Sequence, residues 1–278
     1  MTSVPNIMLN NGVEIPQLGF GVFQIKPEET VEAVTKALEI GYRHIDTAEM
    51  YGNEKQVGEA IRKSGIDPGE VFVTSKLNNG FHAYDDALRA FDQTLADLGT
   101  ERLDLFLIHW PLATVLDFVP TWRALEKVYN DGRVRAIGLS NFQPHHIRRL
   151  HAETEVAPAV NQIELHPYLT QDELRAFDAE HQIATEAWSP LAQGGVLDDP
   201  TIAEVAKAHG KTPAQVVLRW HVELGNIVFP KSVTPSRMQE NFEIFDFELS
   251  PDEIGLISAL NKDERTGPDP DKFDYIPG

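Results

Sequence analysis

Along this chain, ionisable and polar side chains repeatedly stand at the ends of short apolar runs. They are Asp46, Lys76, His109, Ser140 with Asn141, Gln162 with Glu164, Trp188 with Ser189, and Lys231 with Ser232. Runs of that length read as buried strands, so these residues mark where strands surface. Tyr51 adds a phenol shortly after Asp46. A phenol alone is a poor acid at neutral pH, with an unperturbed pKa of about 10. An ammonium beside it, such as that of Lys76, favours the phenolate and strengthens proton donation. Asp46 can keep that ammonium charged and oriented, and His109 can help to place an oxygen beside the phenol. Together the four could give a proton to an oxygen on which negative charge develops. Singly they have plainer uses: Asp46 with Lys76 as an ion pair, His109 as a hydrogen-bonded strand-end residue, Tyr51 as amphipathic packing.

The chemistry requires those strand ends to converge, and the order of elements predicts that they do. After an extended entry with Asn11-Gly12 at hairpin-turn positions, strand-like runs cover Leu18 to Gly21, Tyr42 to Ile45, Val71 to Ser75, Leu103 to Ile108, Val134 to Leu139, Ala159 to Ile163, Ile183 to Trp188 and Ile227 to Phe229. Between them lie apolar residues at helical spacing: Val31, Val34 and Leu38; Leu88, Phe91, Leu95 and Leu98; Trp122, Leu125 and Val128. Gly41, Gly65, Gly99, Gly132 and Gly210 fit helix carboxyl ends. Ser250-Pro251-Asp252-Glu253 reads as a capping box opening a helix that runs to Leu260, outside the eightfold pattern. Eight strand–helix units in about 250 residues point to an α/β fold of the (β/α)₈ barrel type. It carries a short amino-terminal β-hairpin and an additional carboxyl-terminal helix and tail. No linker-like run divides residues 1–278, so a single domain is expected. Such a barrel puts its chemistry on the loops at the carboxyl ends of its strands, where the residues above collect.

Composition narrows the ligands. The 278 residues hold 24 Lys+Arg against 43 Asp+Glu, a formal charge of −19. That argues against nucleic acid and anionic membranes as partners, and any anionic ligand needs a local basic patch. With no cysteine, disulfides, thiolate metal sites and a cysteine nucleophile are excluded. MTSVPNIMLNNG lacks the features of a secretion signal, and no apolar stretch approaches a membrane span, so the cytoplasm is expected.

Several motifs fail on spacing. Gly19-Phe20-Gly21 begins a dinucleotide fingerprint whose third glycine position is Gln24. Gly210-Lys211-Thr212 ends like a phosphate loop, yet the earlier glycine position is Val205, so it reads as one helix ending before another starts at Pro213. Tyr51 and Lys55 form a Tyr-x-x-x-Lys pair without the glycine-rich nucleotide loop that such a pair accompanies in short-chain dehydrogenases. No His-Glu-x-x-His is present, and adjacent His145 and His146 should lie on different helix faces, so no catalytic metal is expected.

Three stretches do carry a resemblance: Gly41-Tyr-Arg-His-Ile-Asp-Thr-Ala-Glu-Met-Tyr-Gly-Asn-Glu54, Leu103-Asp-Leu-Phe-Leu-Ile-His-Trp-Pro111 and Pro230-Lys-Ser-Val-Thr-Pro-Ser-Arg-Met-Gln-Glu-Asn241. The chain resembles the aldo-keto reductases over essentially its whole length, and among them bacterial members of the 2,5-diketogluconate reductase type. The resemblance implies an NADPH-dependent oxidoreductase, with NADH a weaker donor, that reduces small carbonyl compounds. It assigns Tyr51, Asp46, Lys76 and His109 as the catalytic tetrad. It further implies that Ser140, Asn141 and Gln162 bond the nicotinamide carboxamide, that Trp188 stacks on the ring, and that Ser189, Leu191 and Gln193 follow the pyrophosphate. Ser232 and Val233 continue toward the adenosine, Lys231 and Arg237 face the ribose 2′-phosphate, and Glu240 and Asn241 lie near adenine. Barrels commonly bind phosphate at the loops of their last strands, which favours Lys231 and Arg237 over two ordinary solvated cations. The family is usually monomeric.

Phe23 and Trp110, beside His109, are expected to wall the substrate pocket, with the tail Lys272-Phe273-Asp274-Tyr275 closing over them. Trp122 and Trp220 lie in helical patterns and read as packing. Many bacterial relatives carry a tryptophan two residues after the lysine; here the sequence is Leu77-Asn78-Asn79-Gly80, which suits a wider or more polar pocket. Two rival readings remain. One is a barrel that holds NADPH without catalysis, as a sensor or structural protein. The other is a hydrolase using two carboxylates such as Asp46 and Glu164.

Overall fold

The computed structural model describes residues 4–277. Strands β1 (Asn6–Met8) and β2 (Glu14–Pro16) form an antiparallel hairpin. Its turn is closed by Leu9 and Val13, and Gly12 takes the left-handed conformation (φ 82°) that favours glycine there. Eight parallel strands follow in chain order: β3 (Phe20–Gly21), β4 (His44–Asp46), β5 (Phe72–Leu77), β6 (Leu103–Ile108), β7 (Val134–Ser140), β8 (Val160–Glu164), β9 (Ala184–Trp188) and β10 (Ile227–Val228). Backbone bonds from Gly19 N to Val228 O (2.8 Å) and from Val228 N to Gln17 O (2.9 Å) join the last strand to the first. The sheet therefore curls into the expected (β/α)₈ barrel.

The helices are α1 (Pro27–Ile40), α2 (Glu54–Lys63), α3 (Tyr84–Leu98), α4 (Phe118–Asn130), α5 (Pro144–Glu153), α6 (Asp172–Glu180), α7 (Pro200–His209), α8 (Pro213–Glu223), α9 (Pro235–Phe242) and α10 (Pro251–Ser258). Their apolar faces pack outside the strands, where Val34, Leu38, Phe91, Leu95, Trp122 and Leu125 join one buried cluster. Trp122 and Trp220 are fully buried, as expected of packing residues. Thr212 and Ser250 both make capping boxes, with Gln215 and Glu253 respectively, so the Gly210-Lys211-Thr212 stretch is a helix-to-helix joint.

Several strand boundaries differ from expectation by one or two residues, and the start of β4 does so for a local reason. Gly41 N and Tyr42 N both donate to Ala37 O at 3.1 Å, so Tyr42 finishes the turn of α1 and β4 starts only at His44. At the far ends β5, β7 and β8 run one to two residues longer than predicted, to Leu77, Ser140 and Glu164. Asp46, Lys76, Ser140, Gln162 and Trp188 therefore stand on the rigid ends of strands.

The hairpin closes the amino-terminal end of the barrel. Leu9 and Ile15 bury against Leu105, Leu107, Val160 and Ile227. A cleft of about 730 Å³ opens at that end, beside Ile7, Ala179 and Asn226. Asp172 and Arg175 in its lining pair with each other at 3.2 Å. Among the described residues, no helix is long and apolar enough to cross a membrane.

Candidate active site

Lys76 is fully buried, and Asp46 is 2% exposed. The lysine Nζ donates to Asp46 Oδ1 at 2.7 Å, to Thr47 O at 2.8 Å and to Tyr51 Oη at 3.4 Å. Three acceptors use all three N–H bonds of an ammonium. Because Tyr51 Oη accepts there, its own proton is free to point elsewhere. Burial works against the Lys76 charge, but Asp46 and Tyr51 outweigh it and hold the lysine above its usual range. Burial pushes the Asp46 carboxyl up, against the pull of Lys76 and Gln162. The three-acceptor geometry places the pair's proton on the lysine.

Tyr51 is half-buried. Here the structure adds a larger effect to the one expected from sequence. Lys76 does favour the phenolate, but burial outweighs it, and the phenol titrates above its ordinary value. Tyr51 thus keeps its proton across the neutral range. His109 lies edge-on to it, with ring centroids 5.8 Å apart. Burial, helped by the Lys76 charge, pushes the His109 imidazole well below its usual value, so it is neutral. Among the described residues its Nδ1 has no hydrogen-bond partner.

Beside this group the strand-end amides are bonded to one another. Trp188 Nε1 donates to Asn141 Oδ1 (2.8 Å), and Asn141 Nδ2 donates to His109 O (3.0 Å) and Ser140 Oγ (3.1 Å). Ser140 Oγ donates to Gln162 O at 3.0 Å. Asn141 therefore holds the indole of Trp188 in place. Gln162 Nε2 bridges two carboxyls, Asp46 Oδ2 and Glu186 Oε2, each at 2.8 Å. That leaves only its side-chain oxygen for any bound amide. Asn141 (φ 66°), Ser189 (φ 48°) and Gln193 (φ 55°) adopt the left-handed backbone region. Non-glycine residues held there cost of order 1 kcal/mol or more each and cluster at ligand sites.

Further along the rim, Leu191 is half-buried and Gln193 exposed. Lys231, Val233 and Arg237 are exposed, while Ser232 and Asn241 are buried. Ser232 Oγ accepts from Thr234 N at 3.0 Å. Glu240 faces α8, where its carboxylate accepts from Thr212 Oγ1 at 2.8 Å. Among the described residues, neither Lys231 nor Arg237 has a carboxylate within ion-pair distance, whereas most other basic side chains do. Two unpaired cations on a chain of charge −19 suit an anionic ligand.

Over the tetrad, Phe23 lies 5.1 Å from the Tyr51 ring and is 53% exposed. Trp110 packs on Phe273 of the tail at 4.2 Å and meets Trp188 at 6.5 Å. Asn79, in the Leu77-Asn78-Asn79-Gly80 stretch, donates to Tyr275 O at 2.9 Å. The tail is also pinned by Glu164, which accepts from Thr266 N and Oγ1 (2.6 Å each) and Gly267 N (3.1 Å). Although burial opposes its charge, bonds from His166, Thr266 and Gly267 hold Glu164 below its usual value. Both carboxylates of the two-acid hydrolase reading are thus committed, Asp46 to Lys76 and Glu164 to the tail. Sequence reasoning missed this anchor and Glu186. Period-two alternation from Trp188 would have placed Glu186 on the inward face of β9.

The histidine pair is also corrected. The rings of His145 and His146 lie 4.0 Å apart, and both face Asp271 of the tail, at 3.4 and 3.7 Å. His146 turns back to cap its own helix: its Nδ1 accepts from Gln143 N at 3.1 Å, which leaves the ring proton on Nε2. A ring nitrogen that carries its proton is not a metal ligand, and the pair instead faces Asp271 of the tail.

The aldo/keto reductase family pattern matches residues 17–262. An aldo-keto reductase of Mycobacterium sp. strain JLS is 53% identical over 271 residues, covering 98% of each chain. The methylglyoxal reductase DkgA of Escherichia coli K12 is 47% identical over 269 residues, covering 96% of this chain and 97% of that one. The solved structure of a mutant of Gox0644 in complex with NADPH superposes with a TM-score of 0.95 at 43% identity, covering 99% of this chain and all of that one. The chain belongs to the aldo/keto reductase family.

Proposed function

We propose that this protein reduces small aldehydes and ketones, α-dicarbonyls and keto-sugars among them, to alcohols with NADPH as the preferred donor and NADH a weaker one. The observation that carries the reading is the buried Asp46–Lys76 pair, whose ammonium reaches Tyr51 Oη at 3.4 Å beside a neutral His109. The relatives named for methylglyoxal and glyoxal support a small dicarbonyl as substrate. A Gly21 Cβ would lie 2.9 Å from Phe229 O, so this residue keeps the first and last strand ends close behind the site.

The strand-end residues fit the nucleotide. Trp188, held by Asn141, offers an indole face for the nicotinamide; Ser140, Asn141 and the free oxygen of Gln162 edge its amide. Ser189, Leu191 and Gln193 line the pyrophosphate path, and Ser232, Val233, Glu240 and Asn241 the adenosine end. Lys231 and Arg237 would meet the 2′-phosphate. When bound, NADPH would supply the hydride that the carbonyl carbon takes up. The protein works on the oxygen. Neutral His109 donates a hydrogen bond that holds it, and Tyr51 gives its proton as negative charge appears. The charge left on Tyr51 falls on an oxygen already bonded to the Lys76 ammonium, and Asp46 keeps that ammonium in place. Phe23 and Trp110 form the apolar walls, and the tail covers Trp110 and excludes water.

We read the chain as one barrel domain acting as a cytoplasmic monomer. Steady-state NADPH and NADH consumption across aldehydes, α-dicarbonyls and keto-sugars tests the reaction class. Turnover is expected with NADPH above NADH, and tight NADPH binding without turnover anywhere in the panel would favour the sensor reading.

A further inference from the structure

Beneath the tetrad lies a second buried carboxyl that the reaction as described leaves unused. Glu186 is fully buried on β9, beside Gln162 in register on β8. One amide nitrogen, Gln162 Nε2, donates to Glu186 Oε2 and to Asp46 Oδ2 at 2.8 Å each. The only cation nearby among the described residues, Lys76, has its three donors taken by Asp46, Thr47 and Tyr51. Glu186 Oε1 has no partner among the described residues. A buried carboxyl with one accepted hydrogen bond and no cation in contact holds its proton.

We propose that Glu186 is a positioning residue for proton donation: in its neutral form it shares the Gln162 amide with Asp46 and leaves the Asp46–Lys76–Tyr51 group with one carboxylate and one ammonium, and its ionisation switches that group off at alkaline pH. The inference rests on the reading of Tyr51 as the acid. A second buried negative charge opposes formation of a tyrosinate, so it weakens Tyr51 as a donor.

The surroundings agree. Burial, reinforced by Asp46, pushes Glu186 up to about 8, against the pull of the Gln162 hydrogen bond and of Lys76. On the other flank β10 offers Ile227 and Val228, which do not titrate. His44 on β4 is held down to about 4 by burial, and His109 is lowered as well, so both are neutral while Glu186 titrates.

The test is a pH profile of kcat for carbonyl reduction with wild type, Glu186→Gln and Glu186→Asp. Gln mimics the neutral acid, so Glu186→Gln is expected within about threefold of wild type at neutral pH. Wild type should fall by about tenfold per pH unit above its alkaline midpoint, as one titrating group requires. Glu186→Gln should lose that limb, and Glu186→Asp, which keeps a titrating group, should shift it. A merely space-filling Glu186 predicts superimposable limbs, and that result would overturn the proposal.

An infrared titration of the nucleotide-free protein gives a readout apart from activity. The wild-type minus Glu186→Gln spectrum should show a protonated-carboxyl C=O band at neutral pH that fades along the same midpoint. Absence of that band at neutral pH also overturns the proposal. If Tyr51→Phe retains turnover, it is the acid assignment that fails, and the infrared titration still decides whether Glu186 carries the proton.

Discussion

Replacing Lys76 by Met should make the stability of the barrel depend on pH in a way that exposes Asp46. Among the described residues the lysine is the only cation in contact with this carboxyl, and both are buried. Breaking a buried pair by removing one partner costs about 3–5 kcal/mol when the other stays charged. Asp46 can escape part of that cost by taking a proton. In the variant its folded pKa is then raised above the unfolded value of about 4. The folded state holds one more proton than the unfolded state between those two values, so stability is greatest below the unfolded pKa and is lost as pH rises. Each unit is worth about 1.4 kcal/mol, so the deficit relative to wild type should grow by about 2.7 kcal/mol between pH 5 and pH 7. Wild type contains other buried acids, but they are common to both proteins and cancel in the difference. Urea unfolding at the two pH values measures it. Parallel behaviour of variant and wild type would refute the reasoning, because Asp46 would then not depend on Lys76 for its charge.

Other consequences follow from single contacts. Changing Lys231 and Arg237 together to uncharged residues should weaken NADPH binding by about a hundredfold or more and leave NADH nearly unchanged, since each lost phosphate bond to a charged group is worth about 1.5–3 kcal/mol and about 1.4 kcal/mol is tenfold; titration calorimetry with both nucleotides checks it, and equal weakening removes the 2′-phosphate assignment. In Gly267→Ala the new Cβ would run into the Trp188 ring, so the indole or the tail must shift. Nucleotide affinity should fall, and quenching of tryptophan fluorescence by NADPH reads it. Buried Asp178 is pushed up to about 8, by burial first, against bonds from Asn161 and Thr185. A raised carboxyl stabilises below its unfolded pKa and loses that contribution as pH climbs toward 8, so wild type should lose up to about 1.4 kcal/mol per unit relative to Asp178→Asn between pH 5 and 7. A constant difference in urea unfolding contradicts it.

Much of this was legible in the sequence because the barrel buries its strands on both faces, leaving short, mostly apolar runs such as Leu103–Ile108, which only Asp104 interrupts. Counting those runs gave eight strands, and the polar residues at their ends gave the rim. The capping box at Ser250 and the glycine helix ends were readable for the same reason: their chemistry is local. What escaped depends on depth and on distant contacts. The rise of the Tyr51 pKa follows from its burial, which spacing does not report. Glu186 pairs in register with Gln162 on the neighbouring strand, a cross-strand partner that no local pattern within β9 announces. Glu164 reaches 102 residues along the chain to Thr266, a link no short pattern encodes. His145 and His146 converge because one of them caps its own helix and both meet the tail.

The central claim is that Tyr51 supplies the proton. Its most direct test is single-turnover hydride transfer from enzyme-bound NADPH to methylglyoxal in wild type and Tyr51→Phe, with nucleotide affinity measured on the same samples. Loss of a positioned general acid should slow transfer by about 10²–10⁴-fold while NADPH binds within about twofold of wild type. Transfer at the wild-type rate in Tyr51→Phe, with binding intact, would contradict the account.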